Sequence, residues 1–215
     1  MIPKAELVLG PPGTGKTYYL IQQIKAALEK GTHPSRIGVI SFTRKAIEEM
    51  VARACAEFNL EPKDFPFMKT SHSFGFHGLG LQPQDIMTKE DYDNIGRELG
   101  LTFEGKMRIS LEDGLSLPTI GGSGSKYLQL EHRARLRMID LEREFNDAGD
   151  RDLFFPKLVQ LSKQIEEYKA ATNKFDFVDM IEKYIPLGEA PSLDFLFIDE
   201  AQDFTPLQWQ MAEKI

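Results

Sequence analysis

Between an apolar run, Ala5–Leu9, and an amphipathic pattern that starts near Lys16, the chain reads Gly10-Pro-Pro-Gly-Thr-Gly-Lys-Thr17. No other stretch restricts the possible folds as tightly. It matches the phosphate-binding pattern G-x-x-x-x-G-K-[ST], and its glycines let the backbone curl until successive N–H groups face one anion. A helix opening at the lysine adds its positive end to the same point. Lys16 is placed to reach the β- and γ-phosphates of a bound nucleoside triphosphate, and the Thr17 hydroxyl to hold Mg²⁺. Gly10, Pro11, Pro12, Gly13, Thr14, Gly15, Lys16, Thr17 and Tyr18 are therefore the candidate nucleotide contacts.

A loop of this kind needs a strand before it and a helix after it. Four short apolar runs read as strands: Ala5–Leu9, Ile37–Ser41, Phe67–Thr70 and Phe195–Ile198. Runs without polar alternation suit strands covered on both faces, as in a parallel sheet. Leu20, Ile21, Ile24 and Leu28 then recur at helical spacing up to Gly31, as do Ile47, Met50, Val51, Ala54 and Phe58 further on. Strand and helix alternate over the first sixty or so residues, which predicts an α/β domain with helices flanking a parallel sheet.

From Gly75 to Asn173 the pattern changes to helices and loops. Thr88 to Asp91 spells a capping box that opens a short helix towards Leu99. Pro118–Lys126 has the composition of a mobile loop, and helices are predicted over Tyr127–Asn146 and Leu153–Ala171. The expected organisation is a nucleotide-binding domain over 1–74 and 174–215, interrupted by a mostly helical insertion over 75–173.

A nucleotide site also needs a carboxylate at the end of a second buried strand. Leu196-Phe-Ile-Asp199-Glu200 supplies it, with Asp199 placed for the metal and Glu200 for the attacking water. Lys16, Glu200 and Gln202 are the candidate catalytic residues; Thr17 and Asp199 are the candidate Mg²⁺ ligands.

The chain carries 41% hydrophobic and 27% charged residues, the balance of an ordinary globular protein. No apolar run approaches the roughly 20 residues needed to span a bilayer, and no secretory signal is readable. One cysteine excludes an internal disulfide and a multi-cysteine metal site, so a cytoplasmic location without membrane contact is expected. A net charge of -7 opposes non-specific wrapping of nucleic acid. Local clustering eases that objection, because Lys126–Arg137 is the most basic stretch. Arg133 and Arg137 share a helix face there, free to meet phosphates or to pair with Glu131, Asp140 and Glu144.

Five segments, in order, resemble the UvrD/Rep-like group of superfamily-one helicases. They are GPPGTGKT, Ser41-Phe-Thr-Arg-Lys-Ala-Ile-Glu-Glu-Met50, Thr70-Ser-His-Ser-Phe74, Asp176-Phe-Val-Asp179 and Asp199-Glu-Ala-Gln-Asp203. The resemblance implies a RecA-like P-loop domain of an ATP-dependent helicase or translocase with ATP and Mg²⁺ as cofactors. It further implies that Phe42, Thr43, Arg44 and Lys45, with Thr70, His72, Ser73 and Phe74, face single-stranded DNA. Hydroxyls, cations and aromatic faces suit phosphates and stacked bases. Gln202 would sense the γ-phosphate, Asp203 would support its loop, and the helical insertion would lie over the DNA. A second RecA-like domain, which carries the completing arginines in this group, is an expected partner. Arginine contacts of that kind are worth about 10³–10⁵ in rate in related hydrolases, so the residues up to Ile215 are expected to bind nucleotide, hydrolyse it slowly and unwind nothing alone. The nine residues before Gly10 hold no glutamine, so adenine selectivity is not implied.

Plainer readings stand beside these. Phe42 follows a buried run and is either core or a stacking face. Phe74, Phe177 and Asp179 read as packing and local hydrogen bonding, and Trp209 reads as core. His33, His77 and His132 show no metal-ligand spacing. A stand-alone P-loop module acting with a partner protein is the competing function, and a P-loop ATPase unrelated to nucleic acid is a third.

Overall fold

The computed structural model describes residues 5–11, 13–103 and 122–215. Helix α1 (Lys16–Glu29) is followed by strand β1 (Ile37–Ser41), α2 (Arg44–Phe58), β2 (Met68–Thr70) and α3 (Ser71–Gly78). Next come α4 (Lys89–Leu99), α5 (Ser123–Arg137), α6 (Leu141–Ala148) and α7 (Phe155–Thr172). The chain returns through α8 (Phe177–Glu182), α9 (Tyr184–Leu187), β3 (Phe195–Ile198) and α10 (Pro206–Lys214).

The three strands form one parallel sheet in the order β2-β1-β3, with Val39 opposite both Met68 and Phe197. β1 lies in the centre and is buried along its whole length, as its uninterrupted apolar run requires. Ile37 and Val39 pack with Ile21 and Ile24 of α1 and with Ile47, Met50 and Ala54 of α2. Ile40 points the other way, into Phe74, Val178, Ile181, Leu207 and Met211 from α3, α8 and α10. Both faces of the sheet are thus covered by helices.

The fourth expected strand does not form. Residues 5–9 join no ladder, and Leu7 and Leu9 are 73% and 83% exposed. An apolar run supplies only half of a strand; the other half is a neighbouring edge whose N–H and C=O groups it can pair. Glu6 instead accepts a hydrogen bond from the Tyr19 hydroxyl of α1 at 2.7 Å.

A separate apolar cluster gathers around α4, α5 and α7: Tyr92 and Ile95 meet Leu128, Leu158, Leu161 and Ile165, all buried. The backbone closes on itself where the chain enters and leaves this region. Met87 N donates to Phe175 O, and Phe175 N donates to Asp85 O, both at 2.8 Å. Thr88 and Asp91 form the reciprocal cap that their spacing predicts.

Two local expectations need correcting. Ser123–Lys126 form the first turn of α5, not a loop, because Ser123 exchanges hydrogen bonds with Thr102 and anchors the turn. Of the expected loop, residues 118–121 lie outside the described residues. The helix predicted over Tyr127–Asn146 is two helices. Met138 ends α5 in a left-handed conformation with φ 55°, and Asp140 caps α6 by accepting from Arg143 N at 2.7 Å. A side-chain acceptor that satisfies a free N–H favours a new start over continuation.

Candidate functional site

The phosphate-loop sequence folds as a tight turn into α1. Gly13 and Gly15 adopt φ of 79° and 84°, the left-handed region in which a side chain is strained. Gly15 is the N-cap of α1 and offers no side-chain acceptor, so the N–H groups of the first turn, including Lys16, Thr17 and Tyr18, keep their hydrogens for another acceptor. Gly10 is held close: a Cβ there would meet the Thr14 hydroxyl at 2.5 Å. The Thr14 hydroxyl donates to Pro11 O at 2.7 Å, and Lys16 Nζ folds back to Gly10 O at 3.0 Å. Pro12 lies outside the described residues, and the Tyr18 ring is largely in solvent.

β3 delivers the acidic segment beside β1. Asp199 N donates to Ile40 O at 2.9 Å, which extends the ladder by one residue and fixes the carboxylate at the strand end. Asp199 is 7% exposed. Burial raises its carboxyl above the ordinary range, and the Glu200 charge adds to the rise. Lys16 pulls in the opposite direction, and so does a hydrogen bond from Ser41. The charge of Lys16 thus acts on a carboxylate from which most of the chain separates it in sequence.

Glu200 then turns the backbone through the left-handed region, with φ 48°. The side-chain amide of Gln202 donates to the Glu200 carboxylate. Asp203 N donates to Glu200 O at 2.9 Å and closes the turn. The donor set of Thr17 hydroxyl and Asp199 carboxylate is all oxygen, as a hard cation such as Mg²⁺ prefers. The excess negative charge around Asp199 fits a cation as well.

The residues expected at nucleic acid divide by exposure. Phe42 is 45% exposed, which excludes it from the core. Thr43 caps α2 by accepting from Ala46 N, Arg44 pairs with Glu48 at 2.7 Å, and Lys45 is exposed. Thr70 is buried and occupied as the cap of α3, accepting from Ser73 N. Phe74 is buried too, stacked on Phe67 with ring centroids 6.3 Å apart, so it has no free face for a base. His72 stands edge-on to Phe177 at 6.2 Å. Burial, reinforced by His132, holds its imidazole down at about 4.

The basic stretch of α5 is spent within the protein. Arg133 and Arg137 both pair with the buried Glu144, and Arg137 reaches Asp147 at 2.9 Å. His132 sits with Glu131 and Asp176, three possible ligand atoms lying within 4.8 Å of one another. Asp176 is already engaged, however: Arg135 and Lys169 donate to its Oδ2, and Asp179 N to its Oδ1. Asp176 therefore belongs to an ion network with Arg135 and Lys169. Trp209 is half-exposed, tilted against Phe204, where the sequence reads core.

Two features escaped the sequence reading. One is Arg135, whose ion pairs run to Asp176, Asp179 and Glu182, each at 2.7 Å. The other is Gln208, whose amide donates to the Ser71 hydroxyl at 3.0 Å. The T-x-x-Q spacing of Thr205 and Gln208 signals a capping box, but nothing local points to Ser71.

Comparison with known proteins gives two matches. The family described as UvrD/REP helicase N-terminal domain matches residues 2–215. A protein of Bacillus subtilis (strain 168) named "Putative ATP-dependent DNA helicase YjcD" is 25% identical over 223 residues, covering 97% of this chain and 28% of that protein. The chain thus spans little more than a quarter of the length of that relative.

Proposed function

The chain belongs to the UvrD/REP helicase N-terminal domain family, and on that premise we propose that it is the ATP-binding portion of an ATP-dependent DNA helicase or translocase. Residues 1–74 and 174–215 form the nucleotide-binding unit in this reading, and 75–173 the insertion. The separate apolar cluster of the insertion and its backbone closure at Met87 and Phe175 support that division.

Lys16 and the first-turn N–H groups of α1 would bind the phosphates, and Thr17 and Asp199 would hold Mg²⁺. Bound there, the metal would supply positive charge to offset that of the phosphates. Glu200 would orient a water for in-line attack on the γ-phosphorus and accept its proton as the bond to the bridging oxygen breaks. Gln202, hydrogen-bonded to Glu200, would report the γ-phosphate to the rest of the domain.

Phe42, Thr43, Arg44, Lys45, His72 and Ser73 are proposed to meet single-stranded DNA, with Thr70 and Phe74 shaping that face from beneath. A second RecA-like domain is the proposed partner that completes the ATP site.

The observation that carries this reading is the Gly10–Thr17 loop turning into α1 through left-handed Gly13 and Gly15, with the first-turn N–H groups left for an anion. Calorimetry with Mg²⁺ and a non-hydrolysable ATP analogue tests it. Binding by the parent chain and its loss in Lys16→Ala are expected; absence of binding by the parent chain would remove the reading. No helix among the described residues is long and apolar enough to cross a membrane.

A further inference from the structure

We propose that Gln208 is a positioning residue that transmits movement of the acidic turn to the start of α3. The proposal rests on the nucleotide reading above and adds a physical route out of that site. Gln208 is 3% exposed, and both ends of its amide are used. Its Oε1 accepts from the backbone N–H and the hydroxyl of Thr205, each at 3.0 Å. Its Nε2 donates to the Ser71 hydroxyl at 3.0 Å, across 137 positions of sequence.

The two ends of this link lie on different functional elements. Thr205 caps α10 and stands two residues beyond Asp203, whose N–H closes the turn that begins at Glu200. Ser71 opens α3 immediately after the end of β2 and immediately before His72 and Ser73. Beneath the link, Leu207 and Met211 of α10 pack in one cluster with Phe74 of α3. This apolar packing holds the two helices together. The directed hydrogen bonds of the amide supply the register, because a buried donor or acceptor left unpaired is costly. If the Glu200–Asp203 turn shifts with nucleotide, Thr205 carries Gln208 with it, and Ser71 must follow or lose its partner. No sequence motif assigns this role to either residue.

The test compares the parent chain with Gln208→Met and Ser71→Ala, each first checked for a cooperative thermal transition. Ser71→Ala removes one oxygen and keeps the apolar packing, so it stays informative should Gln208→Met fail to fold. Two quantities are read: affinity for Mg²⁺ with a non-hydrolysable ATP analogue, and the analogue-induced change in amide hydrogen exchange across residues 70–78.

Both variants are expected to keep the parent affinity within about threefold, since neither residue touches the phosphate loop. They are expected to lose about tenfold of the exchange response, in line with one buried hydrogen bond to a neutral partner. The double variant should lose no more than Gln208→Met alone, because that substitution already removes the contact with Ser71. A parent chain that binds the analogue without any response at 70–78 would overturn the relay, and so would a response preserved in both variants. A parent chain that binds no nucleotide removes the nucleotide reading itself, and the relay with it.

Discussion

Arg135 of α5 donates from its two terminal nitrogens to Asp176 and Asp179 of α8, each at 2.7 Å. Those aspartates also cap each other's backbone: Asp179 N donates to Asp176 and Asp176 N to Asp179. One guanidinium therefore fastens α5 to the N-terminal turn of α8, a helix packed under the sheet. Lys169 of α7 reaches the same two carboxylates at 2.9 and 3.1 Å. Removing one partner of a buried ion pair strands the other charge, at a cost of about 3–5 kcal/mol. Arg135→Ala is expected to destabilise the fold by an amount in that range, read as a loss of free energy in urea unfolding. Arg133→Ala should cost less, because its side chain is half-exposed and the buried Glu144 keeps Arg137 as a partner.

Glu131 lies in the same network and is expected to make stability depend on pH. Burial pushes its carboxyl up to about 7, against an ordinary 4.5, although Arg135 and Lys169 oppose the shift. The folded chain thus keeps a proton that the unfolded chain has released, and the associated stability is present below about 4.5 and disappears as pH rises through 7. Glu131→Gln should leave stability at pH 5 close to that of the parent and raise it at pH 8. His72 and His132, held neutral by burial down to about 4, act in the opposite sense as pH falls. The effect of His72 cancels in the difference between parent and variant, whereas His132, 3.7 Å from Glu131, is coupled to the substitution. Thermal melts at pH 5 and pH 8, both above the range in which the imidazoles of the folded chain take up protons, measure the Glu131 effect.

Gly75 sits in α3 where α8 crosses it. A Cβ at this position would lie 2.0 Å from Met180 O, a backbone atom that cannot swing aside. Gly75→Ala should force the helices apart and cost about 3 kcal/mol or more, the upper range for overpacking. The transition in a thermal melt would fall accordingly.

Gly15 offers the contrasting case. Nothing lies within 4 Å of a Cβ built there, yet its φ of +84° is unfavourable for any side chain. Gly15→Ala should therefore act through the backbone alone, costing about 1–2 kcal/mol locally. Because the strain falls on the cap of α1, the expected readout is weakened nucleotide binding in calorimetry with little change in the global melt.

What could be read in the sequence was whatever short-range chemistry dictates. The loop at Gly10–Thr17, the cap at Thr88 and Asp91, the amphipathic faces of α1 and α2, and the strand leading to Asp199 all follow from spacing. Arg135 and Gln208 were not legible, because their partners are brought by tertiary folding and no local pattern names them. The break at Met138 escaped notice for a related reason. Apolar periodicity continues through it, and only the competition between helix continuation and the Asp140 cap decides the outcome. Residues 5–9 show the converse error, in which hydrophobicity alone stood in for a missing hydrogen-bonding neighbour.

The flank of β3 away from β1 adjoins no other strand among the described residues, and the strand's sequence is Phe-Leu-Phe-Ile with Phe195 partly in solvent. A row of amides and carbonyls that no described strand pairs, on so greasy a ribbon, invites a stranger's backbone to zip alongside it. Chains concentrated with this margin bare would clump through that seam, and a short β-forming peptide laid along it would keep them apart.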